Sequence, residues 1–231
     1  MVSAGCDADV IAAEWRRRTE AEYTSAAIAQ HVALWLIQLG APPDLIRDGL
    51  GVVADELAHS ELSAEVADCA GSTAGAPVID PVSLVLDHGG DRATALVSSI
   101  LRYFCIGETL AVPLFRMLRR RCSVPIAVRA LDRVMRDETR HRQFGWDVLD
   151  WTLLVGGSSV RDAMVEQAPL MVQEVASAYA IIGSGADTET ALSPSALAWG
   201  LAPSCDYSST VSTALAGDVL PRFVARGVLI S

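Results

Sequence analysis

Two short strings in this chain pair a carboxylate with an imidazole three residues later: Glu56-Leu57-Ala58-His59 and Glu138-Thr139-Arg140-His141. On a helix, residues three apart share a face, so each pair can offer two donors to one metal ion. Eleven glutamates and 4 histidines in 231 residues give roughly 0.2 such pairs by chance, so two copies carry information. Each copy is also preceded by an aspartate, Asp55 or Asp137. A metal-bound imidazole needs its second nitrogen oriented by an acceptor, and a carboxylate supplies one. The repeated D-E-x-x-H string therefore predicts that Asp55 supports His141 and Asp137 supports His59, across a helix pair.

The elements that must position these groups are helices. Apolar spacing is helical almost throughout, with no strand alternation and no fixed-period repeat. A first helix is expected from about Val10 to Leu39, stopped by Gly40 and Pro42–Pro43. A second runs from about Asp44 to Cys69. A loop rich in Gly, Ser, Ala and Pro follows, from about Gly71 to Gly90, long enough to cross over a bundle. The third helix is expected from Asp91 to Arg119, bent at Pro113. Ser123 is the expected cap of the fourth, which ends near Gly156–Gly157. Ser159 with Asp162 resembles a capping box for a fifth helix reaching Ile182, and a last helix covers Tyr207 to Arg226.

Two E-x-x-H helices leave the first and third helices to supply one glutamate each. Glu108 is the sole candidate on the third. It lies among Val97, Leu101, Phe104, Cys105, Ala111, Val112 and Phe115, where a bare carboxylate would be costly to bury and a cation would remove the cost. On the first helix, Glu22 shares the apolar stripe of Trp15, Ala26, Ala29, Ala33 and Leu36. Glu20 is the alternative, on a face with Arg16, Arg17 and Thr24. Glu22 precedes Glu56 by 34 residues and Glu108 precedes Glu138 by 30, so similar hairpins place both sets at similar depth. His31 shares the face of Glu20 and is expected at the surface or an interface. His88 sits in the loop, before Gly89–Gly90.

The set Glu22, Glu56-x-x-His59, Glu108 and Glu138-x-x-His141 resembles the ferritin-like di-iron carboxylate superfamily, in its oxidase and oxygenase branch. The string Arg136-Asp137-Glu138-Thr139-Arg140-His141 is similar to the second metal motif of ribonucleotide reductase small subunits and related oxygenases. The resemblance covers about residues 10–156. It implies an all-α, ferritin-like four-helix bundle with a long crossover, plus additional C-terminal helices over about 157–231, in a single domain. It also implies that Glu56 and Glu138 lie near both metals, as the catalytic carboxylates, while Glu22 and Glu108 bind one metal each. Four negative ligands balance two divalent ions, and hard oxygen donors suit iron or manganese, so two Fe ions or a Mn/Fe pair are the expected cofactors.

The activity so implied is reduction of O2 coupled to hydroxylation, N-oxygenation or desaturation of a small organic substrate, as in natural-product biosynthesis, with an external electron donor. Phe104, Cys105, Thr109, Val112 and Phe115 are the expected substrate pocket. Iron oxidation and storage, or peroxide removal, is the alternative. Against it stand the extra C-terminal quarter and the absence of the C-x-x-C pairs of a rubrerythrin-type electron-transfer module. A tRNA-modifying hydroxylase fits less well. The aryl-amine N-oxygenases add a third histidine one turn before the second motif, where this chain has Val134.

Composition narrows the remaining classes. A net charge of −10 disfavours a nucleic-acid partner, which would require a basic surface. The most apolar stretch, Ala93 to Phe115, carries Arg102 and Glu108, as a buried core helix would and a lipid span would not. No charged start and apolar run mark a secretion signal at the N-terminus. Cys6, Cys69, Cys105, Cys122 and Cys205 are too scattered for a disulfide framework or zinc ribbon, so the expected compartment is the reducing cytoplasm. A homodimer is an open option, since paired bundles are common among similar proteins.

Overall fold

Gly40 and the Pro42–Pro43 pair end one helix and start the next. Gly40 takes a positive φ of 73°, and Ala41 N–H reaches back to Leu36 O at 2.9 Å, closing helix α1 (Ala4–Gln38). Pro43 then opens α2 (Pro43–Cys69), where its missing N–H costs nothing. The computed structural model describes residues 4–72, 79, 84, 86, 91–184 and 192–229. The expected crossover loop, with His88, lies for the most part outside the described residues. Of its described residues, Leu84 offers its carbonyl to His31 Nε2 at 3.1 Å, which sets it against α1.

Arg92–Arg119 forms one continuous helix. It has three parts: α3 (Arg92–Ser99), a π-helical segment (Ile100–Glu108) and α4 (Thr109–Arg119). Asp91 caps it by accepting from Thr94 N–H at 3.1 Å. It is long and apolar enough to cross a membrane, yet 72% of its most apolar window is buried inside the protein. The π segment was not visible in the sequence. It widens the helical turn just before Pro113, and the helix continues through that proline to Arg119.

Helix α5 (Pro125–Val155) begins one residue later than the expected cap. Val124, not Ser123, is its N-cap, because Pro125 takes the first helical position. The N–H groups of Ser123 and Val124 both donate to Ala198 O, at 2.8 and 3.0 Å. That carbonyl ends α7 (Pro194–Ala198), a short helix capped by Ser193 that the sequence reading missed inside a polar loop. Helix α6 (Gly157–Ser184) starts at Gly157 rather than at a Ser159–Asp162 box, and Ser159 Oγ donates back to Gly156 O. The last expected helix is present as α8 (Ser204–Ala214), a second π segment (Leu215–Val219) and α9 (Leu220–Val224). Among the described residues there is no strand.

Helix α1 runs antiparallel to α2, with Ser60 Oγ bonded to Thr19 O. Helix Arg92–Arg119 runs antiparallel to α5, and α2 meets α5. Helix α6 covers α3 and packs on α8, which in turn packs on α4. Two apolar clusters result. One gathers Val32, Leu36, Val52, Phe104, Phe144 and Leu149. The other gathers Ile11, Trp15, Val66, Leu118 and Leu131. On α1, α2 and α5 the candidate ligands fall between residues of the two clusters, so the polar site is enclosed by apolar layers.

The spacing of α5 from the π segment is set at Gly145. A Cβ there would meet Phe104 Cβ at 2.5 Å and the Phe104 backbone at 3.0 Å. Gly145 follows His141 by one turn and Phe104 precedes Glu108 by one turn, so this contact fixes the helix separation at the site. Gly145→Ala is expected to destabilise the protein by about 1–3 kcal/mol through overpacking. The check is a thermal or urea melt; an unchanged midpoint would show that the close approach is not a constraint.

Candidate metal centre

Each of four helical elements delivers acidic or imidazole groups to one buried point. Helix α1 supplies Glu22, α2 supplies Glu56 and His59, the end of the π segment supplies Glu108, and α5 supplies Glu138 and His141. All six residues are at most 8% exposed. They form two overlapping groups: Glu22, Glu56, His59 and Glu138 in one, and Glu56, Glu108, Glu138 and His141 in the other. Within each group the donor atoms lie within 4.8 Å of one another. Glu56 and Glu138 belong to both. Glu20 is half-buried and belongs to neither, so Glu22 is the α1 residue at the site.

The inward imidazole nitrogens face carboxylate oxygens without an aligned hydrogen bond. His59 Nδ1 lies 3.6 Å from both Glu56 and Glu138 and 3.9 Å from Glu22. His141 Nδ1 lies 3.1 Å from Glu56 and 3.4 Å from Glu138. None of these approaches is aligned as a hydrogen bond. Both Nδ1 atoms and one oxygen each of Glu56 and Glu138 are buried without a partner. Four such atoms converging at one place would be expensive unless a cation satisfied them. The donor set of carboxylate oxygens and imidazole nitrogens fits one or two hard or borderline metal ions.

The opposite edge of each imidazole is held by a carboxylate. His59 Nε2 lies 3.2 Å from Asp137 Oδ2, and His141 Nε2 lies 3.3 Å from Asp55 Oδ2. This is the crossed arrangement expected from the two D-E-x-x-H strings, and it aims both Nδ1 atoms inward. The sequence reading missed what holds the aspartates. Arg133, Arg136 and Arg140 line one face of α5. Arg133 Nη2 bonds Asp55 at 3.0 Å and its Nε bonds Asp137. Arg140 bonds Asp55 at 2.9 Å and Asp137 at 2.6 Å, while Arg136 bonds Asp137 at 3.1 Å. Their spacing around Asp137 was the available signal, but only the folded pair of helices shows that Asp55 shares the clamp.

Electrostatics follow this layout. Burial pushes Glu22 well above the usual carboxylate range, and the charges of Glu56 and Glu138 add to it. Burial does the same to Glu108, again helped by Glu138. Burial would also raise Glu56, but His141 and His59 outweigh it and hold that carboxyl down to about 2. Burial opposes charge on His141, yet Glu138 and Glu56 push it up to about 10. His59 is raised by Glu56 and Glu138 against the same opposition. Asp137 is held below its ordinary range: burial opposes this, and Arg133, Arg136 and His59 overcome it. Without an ion, protons on the imidazoles and on Glu22 and Glu108 offset the buried negative charge.

The expected pocket residues divide. Phe104 packs edge-on against Phe144 with centroids 5.4 Å apart, Cys105 Sγ points to Gly145 O, and Thr109 Oγ1 accepts from Trp146 Nε1 at 3.1 Å. These three seal the interface with α5. Val112 is buried beside them in sequence. Phe115 alone of the five lines a cavity of about 360 Å3 that reaches Glu22. Its other walls include Ile106, Gly107, Leu110 and Leu114. The π segment shifts the register of Phe104 and Cys105 relative to Glu108, while Thr109, on regular α4, is held to α5 by Trp146. A smaller cavity of about 250 Å3 reaches His141 and Asp55 from the outer side of α2 and α5.

Asp137→Asn removes the charge behind His59 while keeping its shape. Metal affinity is expected to fall about 10–100-fold. A chelator-competition titration measures this, and wild-type affinity would refute the supporting role.

Among known proteins, no family model, curated protein or solved structure matches this chain.

Proposed function

We propose that this chain is a ferritin-like, O2-activating di-iron oxidase or oxygenase acting on a small organic substrate. The observation that carries the proposal is the pair of buried ligand groups sharing Glu56 and Glu138, each with its own imidazole and its own further glutamate. Glu22 and His59 would serve one ion, and Glu108 and His141 the other. Three carboxylates and one imidazole per ion leave positions for a small co-substrate at a six-coordinate metal. Bound iron would supply the electrons that reduce O2. Hydroxylation of a substrate RH then balances as RH, O2, two electrons and two protons giving ROH and water, so an external donor must deliver the electrons.

The chain's own groups prepare this chemistry. Asp137 and Asp55 lie against Nε2 of each imidazole, so that on loss of its second proton to a bound metal Nδ1 would be the ligating nitrogen. The apolar layers exclude bulk water and strengthen every charge interaction at the site. Phe144, Phe104 and Trp146 close the α5 side, so a substrate reaches Glu22 from the cavity on the α1 and α4 side. That apolar cavity favours an organic substrate over iron storage, where the metal itself is the substrate. The absent third histidine, at Val134, gives no special reason to single out N-oxygenation.

The test is anaerobic loading with two ferrous ions per chain, followed by mixing with oxygenated buffer. Rapid oxygen uptake with electron consumption matched to an oxidised organic product is expected. Continued oxidation of iron far beyond two per chain, with a mineral product, would replace the proposal by the storage reading.

A further inference from the structure

Arg18 and Glu22 lie four residues apart on one face of α1, and both line the cavity of about 360 Å3 beside the metal centre. Arg18 is 5% exposed, an unusual place for a guanidinium. Two of its nitrogens are engaged: Nε bonds Glu14 Oε1 at 3.1 Å, and Nη2 donates to Gly200 O at 2.9 Å. Its plane lies 4.4 Å over the Trp15 ring. The third nitrogen, Nη1, is buried with no aligned hydrogen-bond partner, and the Tyr207 side chain lies beside the guanidinium.

Charge is also unbalanced there. Glu14 accepts two further bonds from Arg17, both at 2.9 Å, so one carboxylate serves two guanidinium groups. Arg102, the third arginine in the cavity wall beside Arg17 and Arg18, is paired outward with Glu174. Among the described residues, Glu22 is the one acidic residue lining this cavity, and it belongs to the candidate metal centre. A buried cationic donor without an acceptor is costly, and an anion beside it would offset both the missing bond and the excess charge. The wall beyond Arg18 is apolar, with Ile106, Leu110, Ala111 and Leu114.

We propose that this cavity binds a small organic carboxylate, its anionic end paired with the Arg18 guanidinium and its hydrocarbon body lying along α4 toward Glu22. Four residues of helix span ~6 Å, so the group presented to the metal centre lies a few bonds from the carboxylate. Arg17, Tyr179 and Tyr207 line both this cavity and an outer one of about 550 Å3, which makes them the threshold of the entry route. This assignment names the substrate class for the oxidase proposed above and rests on that function for its metabolic meaning, but the binding is measurable without it.

The experiment is calorimetric titration of the full chain, metal-free and again loaded with ferrous iron under nitrogen. The probes are octanoate against octanamide, and 3-phenylpropionate against its amide. At least one acid is expected to bind roughly 10–100-fold more tightly than its amide, the range of a hydrogen bond to a charged group. Arg18→Gln is expected to abolish that preference. Ala111→Phe, which keeps every Arg18 contact and fills the cavity, is expected to remove binding of the acid while leaving metal content unchanged. Equal affinity for acid and amide, or no binding by either acid, overturns the proposal. So does acid binding that survives Ala111→Phe, a result that counts even if the Arg18 variant does not fold. Oxygen uptake without any carboxylate preference would sink this assignment and leave the oxidase standing. Carboxylate preference without metal-dependent oxygen uptake would do the reverse.

Discussion

Glu138→Ala is expected to take the protein from two bound metal ions to fewer than one, because Glu138 belongs to both ligand groups. Glu22→Ala should behave differently. It leaves Glu56, Glu108, Glu138 and His141 together, so one ion should remain. Glu20→Ala should keep both, since Glu20 is outside both groups. Glu138→Gln preserves volume and separates loss of a ligand from loss of packing. It also reduces carboxylate repulsion, so the helical content of the metal-free variant should match wild type. Elemental analysis after gel filtration reads all four proteins. Two ions retained by Glu138→Ala would remove the metal centre from consideration.

The second large effect is on stability and its pH dependence. An ion present at a thousand times its Kd adds about 4 kcal/mol. For a chain of this length that moves Tm by on the order of 10 °C per ion. The metal-free and loaded proteins should also respond oppositely to pH. In the metal-free protein His141 is pushed up to about 10 from an unfolded value near 6.5. Its contribution is therefore complete below the unfolded value and is lost as pH rises toward 10. Metal ions compete with those same protons, because a ligand must be deprotonated to bind. Affinity should rise with pH across that window, about tenfold per pH unit for each proton displaced. Melting curves from pH 6 to 9 with and without metal should diverge. Parallel curves would mean that the imidazoles do not bind metal.

Much of the candidate metal centre could be read before any fold was known, for a local reason. Glutamate and histidine three apart share a helix face whatever else the chain does, and Asp55 and Asp137 repeat the offset. Glu22 and Glu108 were legible because a carboxylate inside an apolar stripe needs an explanation that a cation provides. Helix ends marked by Gly40, Pro42 and Gly156 were legible for the same kind of reason, since glycine and proline constrain their own backbone.

Other features depended on partners distant in sequence. The N–H groups of Ser123 and Val124, just ahead of α5, both donate to Ala198 O, over seventy residues later, a contact that no local spacing announces. The π segment ending at Glu108 changes the register of Phe104 and Cys105, which pack on α5, and no composition rule announces such a register change. The arginine clamp needed α2 beside α5 before Arg133 and Arg140 could bridge Asp55 and Asp137. The unpartnered nitrogen of Arg18 exists only because Gly200 and Glu14 hold the rest of that guanidinium in place. Residue type and helical spacing determined which donors this protein could offer a metal. Tertiary packing decided which side of the buried ligand cluster a cavity reaches and what charge lines it, because those depend on surfaces that meet only when distant helices are brought together.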